Sequence, residues 1–241
     1  MMARIYSLCT LLCCFFLTDA WAQKNKKVLI FSKTTEFRHQ SIEKGVLTVE
    51  KLLNDQHIGT FHSEDESIFN AKNLANYDAI LFLSTTGNLF NSQQKEDIRN
   101  FIRSGKGFVG IHAASDTEYN WPWYGGLVGG YFASHPAVQE AKIDVLNRKH
   151  LSTQHLQKVW FHKDEWYDFK DVKEGLHILM ALDETSYKGG KMGKFHPIAW
   201  FQEYDGGRSF YTGLGHTEES FDSELFQKHI LGGVQYVLKL K

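Results

Sequence analysis

Residues 77–84 read YDAILFLS and residues 107–111 read GFVGI. Both runs are short, apolar along nearly their whole length, and bounded by polar or glycine residues. A strand with one face in water alternates apolar and polar side chains, so unbroken runs like these belong to strands covered on both faces. Residues 27–32 (KVLIFS) read the same way, and residues 58–62 suggest a further strand. Helical patterns lie between them. Ser41 stands as an N-cap ahead of Ile42, Val46, Val49 and Leu53, while Ser92 opens a segment with Ile98, Phe101 and Ile102 that Gly105 stops. This alternation predicts an α/β fold, a doubly wound, mostly parallel sheet with right-handed crossovers and helices on both faces.

Beyond Tyr119 the pattern loosens into an aromatic, glycine-rich stretch with Trp121, Trp123, Tyr124 and four glycines up to Gly130. Strand-like runs follow at 142–146, 177–182, 198–204 and 209–213. Residues 219–240 read as one packing helix with Phe226, Ile230, Val234 and Val237 on one face. No repeat or linker interrupts the chain, so residues 23–241 read as a single domain.

The chain has 241 residues, with 27 Lys plus Arg against 28 Asp plus Glu. A net charge of −1 argues against a nucleic-acid binder that relies on a basic face. Its three cysteines, Cys9, Cys13 and Cys14, all fall in the first segment. That segment has Arg4, an apolar run over 5–17, and Ala20 and Ala22 at the −3 and −1 positions of a cut before Gln23. This is the pattern of a secretory signal peptide over residues 1–22, which predicts a periplasmic or secreted protein. The apolar run is short for a bilayer span, so no membrane span is expected in the mature form. After the cut no cysteine remains, which excludes disulfides, a thiol nucleophile and a thiolate metal site.

In open parallel sheets ligands bind beyond the carboxyl ends of the strands. Glu36, Arg38 and His39 follow the first predicted strand. His112 and Asp116 follow residues 107–111, and His216 follows residues 209–213. His135 and the block 161–167, with Glu165 and Tyr167, lie between. The chain has twelve histidines, most of which read as surface or core residues. His112 and His216 differ, because each ends a strand beside small residues that admit a ligand. Asp164 and Glu165 read either as solvated charge or, among Trp160, Phe161, Trp166 and Tyr167, as a half-buried carboxylate. Trp121, Trp123 and Tyr124 read either as core or as a stacking surface for a sugar ring.

Two chemistries fit this set. Histidine and carboxylate can form a general acid–base pair. Alternatively, His112, His135 and His216 with Asp116 or Glu165 could hold a divalent metal such as Zn that activates water. Compact metal motifs, phosphate loops, dinucleotide fingerprints and the G-x-S-x-G elbow are missing from the sequence, so it requires no cofactor.

Four stretches in order carry a family resemblance: EFRHQSI at 36–42, GIHAA at 110–114, LVGGYF at 127–132 leading to His135 and Pro136, and GRSFY at 207–211 leading to Gly215 and His216. Together they resemble the ThuA-like (trehalose utilization) family over about residues 27–238. The resemblance implies a flavodoxin-like sheet of the class I glutamine amidotransferase-like kind and a link to sugar metabolism. In amidotransferases the elbow after a central strand carries a cysteine nucleophile; here His112 stands there. Glutaminase chemistry passes through a thioester, so it is excluded.

Relatives of the family are associated with oxidised sugars and sugar dehydrogenase-like partners. The implied function is an exported lyase, hydrolase or hydratase acting on a glycoside or keto-sugar. His112, His216 and Glu165 would be its acid–base groups or ligands. Glu36, Arg38, His39, Asp116, His135 and Tyr167 would line the substrate site, and Trp123 and Tyr124 would stack on a ring. A non-catalytic carbohydrate-binding protein and a metal-dependent hydrolase of a non-sugar substrate compete with that reading. Exposed aromatics would equally suit a homo-oligomer.

Overall fold

The computed structural model describes residues 26–240, so the expected leader over 1–22, with all three cysteines, lies outside the described residues. The apolar runs form strands, in chain order with the helices that follow them. These are β1 (Lys27–Phe31), α1 (Ile42–Asn54), β2 (Gly59–Ser63), α2 (Ala71–Leu74), β3 (Ala79–Leu83), α3 (Ser92–Arg103) and β4 (Gly107–Ile111). The looser half gives α4 (Pro122–Val128), β5 (Tyr131–Ser134), β6 (Gln139–Val145), β7 (Val159–Asp164), β8 (Asp168–Lys170), β9 (His177–Leu182), β10 (His196–Tyr204) and β11 (Gly207–Thr212). The chain ends with α5 (Glu218–Asp222) and α6 (Glu224–Val237).

Nine strands form one sheet in the order β2-β1-β3-β4-β11-β10-β9-β6-β7, and β5 pairs with β8 separately. The first five run parallel in the 2-1-3-4-5 order of the flavodoxin-like sheet. Antiparallel pairing then carries the sheet on through β7, with only β10 and β6 reversed against the other seven. Side chains alternate between the faces, and both faces are covered. Leu83 points toward Gly45 of α1 and Phe221 of α5, while Phe82 stacks on Tyr124 of α4. Accordingly α1, α5 and α6 pack together on one side, and α2, α3 and α4 lie on the other.

The sheet is strongly curled. Four strand intervals separate β11 from β7, roughly 19 Å in a flat sheet at ~4.8 Å spacing. Yet Asp164, the last residue of β7, hydrogen-bonds the backbone just past β11. Curling thus brings the antiparallel end over the carboxyl edge of the parallel strands.

Two expectations about local structure need correction, and one stretch left unassigned acquires a structure. Ser41 does not cap α1: its backbone is already helical and its hydroxyl donates to the Gly215 carbonyl at 3.0 Å. The single helix expected over 219–240 is two, because Ser223 is extended (ψ 114°) and starts α6 afresh. The aromatic, glycine-rich stretch contains α4, begun by Pro122 and ended by Gly129 at φ +96°.

Candidate functional site

Three strand ends of the parallel half and one of the antiparallel half converge. His39 comes from the segment after β1, His112 from the first position after β4, His216 from the loop after β11, and Glu165 directly after β7. One potential ligand atom from each lies within 4.8 Å of the others. His112 has φ +51°, a left-handed conformation that turns the chain sharply at the strand end. Its Nδ1 lies 2.9 Å from the Gly213 carbonyl and must donate there, which leaves Nε2 to face the cluster. That Nε2 is 3.2 Å from His216 Nδ1 and 3.6 Å from Glu165 Oε2. His216 Nδ1 is itself 3.1 Å from the same carboxylate oxygen.

Burial and charge act together here. Burial alone would raise the Glu165 carboxyl, but hydrogen bonds with His112 and His216 outweigh it and hold the group well below the usual carboxylate range. Burial would lower His216, but its bond to Glu165 and the charges of Glu165 and Asp164 raise it. His39 is pushed down to about 2, chiefly by burial and then by the neighbouring His112 and His216. It is therefore a neutral imidazole at ordinary pH, and its Nδ1 is buried without a hydrogen-bond partner. Tyr167 completes the floor, with its ring 4.2 Å from that of His112 and its hydroxyl 3.4 Å from His39 Nε2.

Asp164 builds the support. Fully buried, it accepts the backbone N–H of Gly215 (2.7 Å), His216 (3.1 Å) and Thr217 (3.3 Å) and the hydroxyl of Ser220 (2.9 Å). It therefore fixes the loop that presents His216, while the next residue, Glu165, supplies the carboxylate. Sequence reading saw the Asp164–Glu165 pair but not this division of labour, because the loop it anchors lies 51 residues away.

The other residues expected at the site divide clearly. His135 stands exposed at the rim with Nδ1 2.8 Å from Glu165 Oε1, outside the four-residue cluster. Asp116 is half-buried and accepts the Tyr119 hydroxyl at 2.5 Å; burial raises its carboxyl, with the Tyr119 bond opposing. Glu36 is exposed. Arg38 is also exposed, and its guanidinium binds Glu43 (2.7 Å) and Glu64 (2.9 Å). Two aromatics do not belong to the site. Tyr124 is fully buried in the core, donating to the Ala114 carbonyl at 2.6 Å, so no sugar can reach it. Trp123 donates to Asp205 in the β10–β11 turn, at the opposite edge of the sheet. The exposed aromatic beside the cluster is Phe37, edge-on to His39 at 4.8 Å. Its signal was an aromatic among the polar residues that follow β1.

Three imidazoles and a carboxylate suit Zn²⁺ or a similar divalent ion. Two features of the site fit such a group: the unpartnered Nδ1 of His39, and a His112 whose other nitrogen is committed to a backbone carbonyl, as metal-bound histidines commonly are. A second group, Asp168, Glu184 and His196, differs. There Asp168 accepts from Ser134 and Lys191, Glu184 from Met192 and Gly193, and His196 bonds Glu184, Tyr187 and the Tyr167 carbonyl. Its atoms are consumed in tying the 184–193 loop to the core.

The family model described as trehalose utilisation, ThuA, matches residues 27–237. The chain belongs to the ThuA family. No curated protein matches it in sequence. Among solved structures it is similar to a ThuA-like protein from Bacteroides uniformis, at 21% identity and TM-score 0.75 over 89% of this chain and 92% of that one. A ThuA-like protein from Parabacteroides merdae is similar at 18% identity and TM-score 0.74, over 89% and 90% of the two chains. A β-galactosidase from Bacillus circulans sp. alkalophilus shares the fold at 13% identity and TM-score 0.57, over 88% of this chain but 30% of the enzyme. ThuA membership and these neighbours establish the glutamine amidotransferase-like, flavodoxin-like fold, and the family description ties the chain to sugar use.

Proposed function

We propose that the protein is a sugar-active enzyme, a lyase, hydrolase or hydratase that works on a glycoside or keto-sugar by histidine–carboxylate chemistry. The observation that carries this reading is the convergence of His39, His112, His216 and Glu165 at the carboxyl edge of the parallel strands. A structural role explains it poorly, since a buried acid–imidazole cluster is costly to assemble and perturbed titrations of this kind gather at functional sites.

A ketone acidifies the C–H next to it. His112 Nε2, which faces the cluster because Nδ1 is committed to Gly213, is placed to accept that proton beside the ionised Glu165, and His216, whose protonated form Glu165 stabilises, to deliver one to a departing glycosidic oxygen. The C–H electrons form the new double bond, and the C–O pair leaves with the oxygen. His135 links Oε1 of Glu165 to solvent and can return the proton. Asp116, raised by burial, is a second acid close to His112. In the alternative chemistry, in which the four cluster residues would hold a divalent ion, they would serve as its ligands instead of as acid and base, and the ion would supply polarisation of a substrate oxygen.

Incubation with a panel of glycosides and 3-keto glycosides, with and without chelator, tests the proposal by product identification. Conversion that His112→Ala abolishes is expected; conversion undiminished in that variant refutes the assignment. Export belongs to the same proposal, and a cell-purified protein whose mass begins at Gln23 would support it.

A further inference from the structure

A groove of about 490 Å³ opens beside the cluster, which contributes His216 to its lining. That volume lies within the range of small-molecule sites, ~300–1,000 Å³. Phe37 and Val138 line it, 63% and 36% exposed, with Arg38, Glu218 and Glu219 around them. An exposed phenylalanine and an exposed valine lining one groove beside a polar cluster present apolar surface that water covers unfavourably. The charges around them select what can lie there. Arg38 is the groove's lysine-or-arginine cation, and its guanidinium is bound by Glu43 and by both oxygens of Glu64. Glu218 and Glu219 also line the groove and are exposed. The groove therefore offers carboxylate acceptors for hydroxyls and an aromatic face for a ring, while the cations among its described lining residues, Arg38 and a protonated His216, are both already held by carboxylates, which leaves none unpaired for a phosphate or carboxylate.

We infer that this groove, lined by the exposed Phe37, is the subsite for the non-reacting half of an uncharged disaccharide or glycoside, and that it excludes phosphorylated sugars. The inference rests on the sugar-active reading of the neighbouring cluster. It also gives Phe37 the stacking role that the sequence had suggested for Trp123 and Tyr124.

Titration calorimetry of the full chain with trehalose, maltose and trehalose 6-phosphate tests it without requiring turnover. Saturable binding of a neutral disaccharide is expected, with the phosphorylated sugar at least about tenfold weaker. Phe37→Ala should weaken binding of the neutral sugar about tenfold, and Gln40→Trp, which fills the groove from an exposed position, should do the same. Neither position is buried, so both variants should keep the wild-type melting temperature. The inference is overturned if no neutral disaccharide binds, if the phosphorylated sugar binds as tightly, or if both variants bind like wild type. Wild-type binding without conversion of any panel sugar would instead count against the acid–base reading and leave the groove standing.

Discussion

His112 Nε2 and His216 Nδ1 lie 3.2 Å apart, although 104 residues separate them in the chain. Because His112 donates its Nδ1–H to Gly213, two bare lone pairs would face each other unless a proton or a cation stands between them. Glu165 beside both supplies the negative charge that would hold either one.

This arrangement predicts metal content. Protein purified without chelator should carry about one divalent ion per chain by elemental analysis. His112→Ala and His216→Ala should each lower Zn²⁺ affinity by more than the ~10–100-fold typical of losing an outer partner. Calorimetry showing no saturable Zn²⁺ binding to the wild type would dismiss the cation and leave the proton.

Asp164 predicts a stability effect separable from the chemistry. Asp164→Ala leaves three backbone N–H groups near a buried site without their acceptor, each worth ~1–3 kcal/mol. Urea denaturation should show a loss of about 3 kcal/mol or more. A loss below about 1 kcal/mol would mean that the loop finds other partners and that Asp164 is not its anchor.

Acid sensitivity should come in part from two buried histidines outside the cluster, adding to that of His39 within it. Burial pushes His150 down to about 4 and His229 down to about 3. Both are neutral in folded and unfolded chain above pH ~6.5, so neither affects stability there. Below that value the unfolded chain takes up protons that the fold refuses, and stability falls until the folded-state values are reached. By pH 5 each should remove about 2 kcal/mol. His229→Gln should flatten the slope of unfolding free energy against pH between 6.5 and 4; an unchanged slope would locate the acid sensitivity elsewhere.

Gly232 predicts a packing effect. A Cβ there would sit 2.4 Å from the backbone of Leu151 and Ser152, where no flexible side chain can yield. Gly232→Ala should destabilise by roughly 1–3 kcal/mol in thermal or chemical unfolding. A neutral result would show that α6 can slide away from the 151–152 segment.

The parallel half was legible because its strands are buried on both faces, so YDAILFLS and GFVGI announce themselves without neighbours. β7 was not: its sequence VWFHKD mixes aromatic and charged residues, since it lies at a sheet edge and ends in the site. β5 and β8, four and three residues long, leave too little pattern to read. Among site residues, His112 and His216 were found by the rule that strand ends gather ligands. His39 was placed at the substrate site by its position after β1, but its place within the cluster itself was not legible, because that depends on burial against partners remote in sequence. Tyr124 was offered as a stacking surface on residue type alone, and the core uses the same type. Ser41 kept its polar role but gave its hydroxyl to Gly215, a partner 174 residues away that no local rule anticipates.

The curl of the sheet has a consequence for how the protein can be taken apart. Three of the four clustered side chains come from the parallel half, and the fourth arrives only when the outermost antiparallel strand folds back over them. A fragment or chimera that keeps the parallel half intact would retain its histidines and lack its carboxylate. Neither half can be inherited, swapped or trimmed independently without dismantling the cluster, so its assembly serves as a gauge of whether the whole chain has closed on itself.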